Sequence, residues 1–287
     1  MSNITDITIL MVLYDESEEI IFKNLEKIKN FKIIIIDNKG NQKLKNKIIS
    51  KFNISAYHLS TTNLGFSKGF NKAISLCTTK FAFIKNSDCY IDEDNILKLH
   101  NYIKINTDCG IVSPTSYDEN GNLSYNAGKF PESENSDQIL KVEGNVCSEK
   151  VLGSSMFAKT EDLKKVGMFN EELFIFFSDD DLCKKMKSIN KHIVQIYDSK
   201  CIHVHGISKV KNKYNRVYLR ELYFTLDELV YFKNIDKSRF NRLKSKIINY
   251  FFKTLINLFT LNILNLIKYY ARIYAYIKFT IYFNKKI

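Results

Sequence analysis

The chain has 287 residues, 45% hydrophobic and 26% charged, which suits one principal core with a smaller appendage. Two prolines and ten glycines exclude long disordered linkers, and six cysteines without a C-x-x-C pair exclude a disulfide framework or a zinc finger. The net charge of +12 is confined to the C-terminal part: 27 basic against 27 acidic residues up to Val210, then 16 against 4 from Lys211, so a nucleic-acid-binding body is disfavoured.

The stretch from Met1 to Ile9 has neither the basic start nor the apolar run of a secretory signal, so a reducing, cytoplasmic compartment is expected. Ile7–Tyr14 (ITILMVLY) reads as a buried strand, followed by helical spacing through Ile21, Leu25 and Ile28. Phe31–Ile36 is a second buried run, ending at Asp37-Asn38, and another helix precedes a strand at Ile54–Leu59. A third helix carries Phe66, Phe70, Ala73, Ile74 and Cys77 on one stripe, and the strand Lys80–Ile84 ends at Asn86-Ser87-Asp88. Apolar runs alternating with amphipathic helices predict an α/β fold with a mostly parallel sheet covered on both faces. Ligands of such sheets bind beyond the carboxyl ends of the strands, where Asp37 and Asp88 fall.

Thr115–Lys150 is irregular and polar, as expected of loops around a cleft. Val151–Ala158 reads as ordered, with a helix near Glu161–Val166. Phe174–Phe177 leads into Ser178-Asp179-Asp180-Asp181 and a helix through Leu182, Met186 and Ile189. His192–Ile196 and Cys201–His205 read as two strands. A boundary is expected between a catalytic domain of residues 1–210 and a helical extension of residues 211–287. In that extension the longest charge-free stretch, Thr254–Ile267, falls short of the ~20 apolar residues that span a bilayer. Its basic and aromatic interleaving suits helices lying on a membrane surface, with packing against the catalytic domain or a dimer partner as the alternative.

Four constellations carry chemistry. Asp37, at a strand end, could accept a hydrogen bond from a nucleotide base or cap the following turn. Asn63-Leu64-Gly65-Phe66-Ser67-Lys68-Gly69-Phe70-Asn71 brackets a helix start, suited to an anion or a closely approaching nucleoside, or forms a plain glycine turn with Ser67 as cap. Asp88 offers an oxygen ligand for a hard cation, and His203 or His205 could add a nitrogen. These histidines, at i and i+2, share a strand face, which leaves cleft or core open for both. Ser178-x-x-Asp181 resembles a capping box, yet three successive acids exceed what a cap requires and leave one to face a cation or to take base duty.

Taken in order, VLYDES, IIIIDN, NLGFSKGFN, NSD, LGSSMF, VGMFNEELFIFFSDDDLCKK and IHVHGIS resemble bacterial family 2 glycosyltransferases of the GT-A fold, in the rhamnosyltransferase-like branch, from Ile7 to Ser208. The resemblance implies an inverting transfer from a dTDP-rhamnose or UDP-hexose donor to a glycan acceptor. That acceptor would be lipid-linked, and the enzyme peripheral on the inner face of the cell membrane. It implies Asp179 as catalytic base and Asp88 and His203 as ligands of Mn²⁺ or Mg²⁺. Asp37, Asn63, Gly65, Gly69, Asn71, Asn86 and Asp88 would line the donor site, with Gly153, Asp180, Asp181 and His205 supporting it or facing the acceptor. Four positions depart from the family pattern: Ser178 stands for Glu, Ser87 for Pro, Asn86 for an acid of a full DxD, and Asn170 for Asp. A catalytically degenerate nucleotide-sugar-binding protein is the alternative.

Overall fold

The computed structural model describes residues 4–124, 127–133, 143–204 and 212–284. After a turn of 3-10 helix come β1 (Ile7–Leu13), α1 (Glu18–Glu26), β2 (Lys32–Asp37), α2 (Gln42–Lys51), β3 (Ala56–Leu59), α3 (Gly65–Leu76) and β4 (Phe81–Asn86). Then follow β5 (Cys89–Tyr90), α4 (Glu93–Ile105), β6 (Cys109–Tyr117), β7 (Ala127–Gly128), β8 (Val146–Ser148), β9 (Lys150–Val151) and β10 (Ser155–Lys159). The chain continues through α5 (Thr160–Lys165), α6 (Ser178–Ser188), β11 (His192–His203), α7 (Lys213–Ile235), α8 (Lys237–Phe259) and α9 (Ile263–Asn284). It divides into two compact units, residues 1–170 with 178–209 and residues 171–177 with 210–287.

The first unit is built on a mixed sheet in the order β3-β2-β1-β4-β10-β6-β11-β5, with β8 beside β11. Strand alternation sorts its apolar residues between two layers. Ile7, Ile9, Met11, Phe81 and Phe83 join α1 and α4 on one face. Leu10, Ala82 and Ile84 join α3, α5 and α6 on the other. β1, β2, β3 and β4 run parallel, so Leu13 pairs with Asp37 and Val12 with Asn86 at one carboxyl edge. β10 runs antiparallel to β4, with Ser155 opposite Lys85, and therefore starts at that same edge.

Two sequence expectations change. His192–Ile196 and Cys201–His205 are not separate strands. They belong to β11, whose register against β6 shifts between Ile196 and Lys200, and which ends at His203; His205 lies outside the described residues. A bulge keeps both halves on one neighbour while re-aiming the second half toward β5. Thr115–Tyr117, expected as loop, is strand, because the second half of β11 pairs with it. The ordered stretch Val151–Ala158 consists of the end of β9, the Leu152-Gly153-Ser154 connection and most of β10.

In the second unit, α9 packs against both α7 and α8. Leu173, Leu229, Phe232, Leu243, Tyr250 and Tyr276 form its core. Asp227, fully buried on α7, accepts hydrogen bonds from the backbone N–H groups of Phe174, Ile175 and Phe176, each at 2.9 Å. Burial pushes its carboxyl up to about 6, against the pull of those three donors.

Candidate active site

The carboxyl edge of the first unit gathers most of the residues singled out above. Asp37 is almost fully buried at the end of β2. Its Oδ1 accepts from Lys39 N at 2.9 Å and Gly40 N at 3.0 Å, and its Oδ2 accepts from Asn41 N at 3.1 Å and Tyr57 Oη–H at 3.0 Å. A carboxylate has about four acceptor positions, and this arrangement supplies four donors. The turn it fixes requires Gly40, whose φ is +66° and where a Cβ would meet Ser60 O at 2.7 Å.

Next to it lies the start of α3. Asn38 Nδ2 donates to Gly65 O at 3.0 Å, and Asn63 Oδ1 accepts from Gly65 N at 2.9 Å. Gly65 has φ +70°, a conformation that side-chain-bearing residues adopt at a penalty. Gly69 and Asn71 follow on α3. A Cβ on Gly69 would stand 3.0 Å from both methyls of Val12. Asn71 clamps the Phe169 backbone, donating to its O at 3.0 Å and accepting from its N–H at 2.9 Å.

The turn after β4 is braced from beneath. Asn24 Nδ2 donates to the carbonyls of Ser87 at 2.7 Å and Cys89 at 3.0 Å. Ser87, at the position where the family has proline, donates its hydroxyl to Glu16 Oε1 at 2.7 Å, while Glu16 Oε2 accepts from Tyr14 N at 2.8 Å. Lys85 is wholly buried and bonded to Asn24 Oδ1; burial pulls its ammonium down to about 8. Antiparallel pairing sets His203 opposite Cys89, and Val204 N donates to Asp88 O at 3.0 Å. His203 Nε2 thereby comes to 3.2 Å from Asp88 Oδ1, a buried oxygen that takes no hydrogen bond among the described residues.

That pair fits a divalent cation. One oxygen and one imidazole nitrogen, converging in a buried place, are a donor set that Mn²⁺ accepts. Among the described residues no group of three or more His, Cys, Asp or Glu converges, so the remaining positions would fall to phosphate oxygens and water.

The acidic run lies at the start of α6. Asn86 N donates to Ser154 O at 3.0 Å, and the preceding Gly153 N donates to Asp179 Oδ2 at 2.9 Å. The Leu152–Ser154 connection thus ties Asp179 to the end of β4. Asp179 is half-buried, and its Oδ1 accepts from Asp180 N at 3.1 Å. Asp180 is buried against Lys150 Nζ at 2.6 Å. Burial and the neighbouring Asp179 raise its carboxyl to about 7, although Lys150 pulls the other way. Asp181 pairs with Lys185 at 2.9 Å along the helix. Ser178, in the family's Glu position, bonds to Ser67 of α3, Oγ to Oγ at 2.8 Å.

The residue-by-residue reading missed Glu16, Asn24, Lys85 and Lys150. Lys85 did leave a signal: it follows Phe81 and Phe83 at period two on a core-facing row. Glu16 and Lys150 left none, since their partners are far away in sequence.

The glycosyl transferase family 2 model matches residues 8–159, more than half of the chain, and the chain belongs to that family. It is 27% identical over 204 residues to the dTDP-rhamnosyl transferase RfbF of Shigella flexneri, a match covering 64% of each chain. The chain thus spans somewhat less than two thirds of that curated relative's length. Among solved structures it is similar to GalNAc-T7 with UDP, GalNAc and Mn²⁺, with a TM-score of 0.59 and 13% identity over 79% of this chain and 50% of that one. It is also similar to the mannosyltransferase PcManGT of Pyrobaculum calidifontis in complex with GDP-Man and Mn²⁺, with a TM-score of 0.56 and 11% identity over 96% of this chain and 87% of that one. These likenesses establish the GT-A fold.

Proposed function

We propose that this chain is an inverting glycosyltransferase that moves a sugar from a dTDP-rhamnose or UDP-hexose type donor to a hydroxyl of a lipid-linked glycan, in the assembly of a surface polysaccharide. The observation that carries the reading is the Leu152–Ser154 bridge, which ties a backbone-held carboxylate, Asp179, to the strand end that leads into the Asp88–His203 pair. The name of the curated relative makes dTDP-rhamnose the first donor to screen.

Of the three acids in the run, Asp179 suits base duty best. Asp180 is buried against Lys150, and Asp181 is paired with Lys185, whereas Asp179 is held by backbone N–H groups and stays partly accessible. Asp179 takes the proton of the acceptor hydroxyl as that oxygen attacks the anomeric carbon. The bond from sugar to diphosphate breaks in the same step, its electron pair leaves with the nucleoside diphosphate, and the configuration inverts. Asp88 and His203 would hold the Mn²⁺ or Mg²⁺, which when bound offsets charge on the departing diphosphate. The turn fixed by Asp37 and the start of α3 at Gly65 form the nucleoside wall, with Gly69 and Asn71 packing it from behind.

Asp179→Asn tests the assignment. It keeps the side chain's shape but removes its basicity, so transfer should fall by about 10²–10⁴-fold while the donor dissociation constant stays within about threefold. A variant that turns over at the wild-type rate would remove Asp179 from the role.

A further inference from the structure

The hairpin of α8 and α9 turns its apolar residues outward near its tip. The two helices run antiparallel, with Phe240 against Phe279, Tyr250 against Tyr269, and Tyr276 Oη bonded to Leu243 O. The inward residues of α8, Leu243 and Tyr250, are buried in the ordinary way. From Ile248 onward large apolar residues also face outward. Ile248, Phe251, Phe252, Leu255 and Phe259 are exposed at helical spacing, forming one continuous stripe. At the turn joining the helices, Phe259 is 83% and Leu261 81% exposed. Such a continuous patch marks an interaction surface.

The polar residues in this stretch make their hydrogen bonds within the helix. Thr254 Oγ1 donates to Tyr250 O at 2.7 Å, Asn257 Nδ2 to Lys253 O at 2.7 Å, and Thr260 Oγ1 to Ile256 O at 3.0 Å. Each folds back onto a carbonyl of its own helix and hides its polarity. The charges point to the partner. From Lys237 to the end of the chain there is no Asp or Glu, against 11 Lys and Arg. A second copy of this surface would meet like charge, whereas anionic lipid headgroups complement it. Lys253 and Lys268 both sit over the Tyr269 ring, at 5.4 and 5.7 Å, with stems long enough to reach headgroups from an embedded helix. Among the described residues no helix is long and apolar enough to cross a membrane.

We propose that the α8–α9 hairpin is an interfacial anchor that seats Phe259 and Leu261 among the acyl chains of an anionic bilayer while its Lys and Arg residues meet the headgroups. The inference is independent of the transfer chemistry, because none of these residues belongs to the first unit.

The test uses the full chain with phosphatidylcholine vesicles, with and without phosphatidylglycerol. Wild type should cosediment with the anionic vesicles and only weakly with the neutral ones, and high salt should weaken the binding. Phe259→Ser with Leu261→Ser should lower vesicle affinity at least about tenfold, with the melting temperature and nucleotide titration unchanged. Because the chain has no tryptophan, Leu261→Trp gives a single indole whose emission should shift to the blue on anionic vesicles. The proposal is overturned if wild type stays in the supernatant or if the indole remains in water. It is equally overturned if the paired serine variant only converts a dimer to a monomer, with vesicle binding intact.

Discussion

Replacing Gly153 with alanine probes the packing that aligns Asp179. The added Cβ would stand 2.9 Å from Phe66 Cζ and 3.4 Å from Asp179 Cβ. Carbon atoms sit comfortably at about 3.5–4.0 Å, so roughly 0.6 Å must be found on the Phe66 side. The ring is not free to supply it, since it packs edge-on against Phe70 and Phe169 with centroids 4.6 and 5.3 Å apart. Overpacking of this kind costs about 1–3 kcal/mol. If the backbone yields instead, Gly153 N–H moves away from Asp179 Oδ2, now 2.9 Å distant, and a bond to a charged group worth about 1.5–3 kcal/mol weakens. If Asp179 is the base, as proposed, misplacing it should lower kcat by about 10–100-fold while the donor KM changes less than about threefold. Phe66→Leu removes the colliding Cζ, so the double variant should regain most of the lost rate. The assay is nucleotide-release kinetics with thermal melts on all four proteins of the cycle. Wild-type kcat in Gly153→Ala, or a loss that Phe66→Leu does not relieve, would refute the argument.

The role of Asp37 separates in the same way. Asp37→Asn replaces one acceptor oxygen with a donor facing N–H and O–H groups, so it should destabilise the ligand-free protein by about 2 kcal/mol in denaturant melts. Unchanged stability together with weakened nucleotide binding would instead make Asp37 a base contact. Asp227→Ala strips the acceptor from three backbone N–H groups and should cost about 3 kcal/mol, read by urea unfolding; a loss under about 1 kcal/mol would contradict the assigned role. Asp180 and Asp227 both have folded-state values raised by burial, to about 7 and about 6. Folding therefore favours their protonated forms, and the stability they contribute, complete below about pH 4, is lost as pH rises through those values. Melting temperature should fall between pH 5 and pH 8, and a steady climb over that window would refute the burial argument.

What the sequence revealed was mostly local. The runs at Ile7–Leu13 and Phe31–Ile36 and the stripe Phe70, Ala73, Ile74 show their periods within a few residues, so β1, β2 and α3 could be read directly, together with the strand ends that carry Asp37 and Asn86. The approach of His203 to Asp88 was expected from the family resemblance alone, because it depends on the β5–β11 register and on a bulge between Ile196 and Lys200 that no short pattern announces. Gly153 offers no signal that its N–H reaches a carboxylate 26 positions later. Sequence left Asp37 poised between a base contact and a turn cap; the four hydrogen bonds around its carboxylate show the cap, and one of them comes from Tyr57, 20 positions away. The continuation of β6 to Tyr117 was hidden because its partner strand lies about 80 residues further on.

The decisive experiment for the proposed donor site is calorimetric titration of wild type and Asp88→Ala with dTDP and UDP, each with and without Mn²⁺. Wild type should bind one of the two nucleotides, Mn²⁺ should tighten that binding at least about tenfold, and Asp88→Ala should lose the increment while keeping its fold. Binding of neither nucleotide by folded wild type, or an Mn²⁺ effect that survives in Asp88→Ala, would contradict the proposed site.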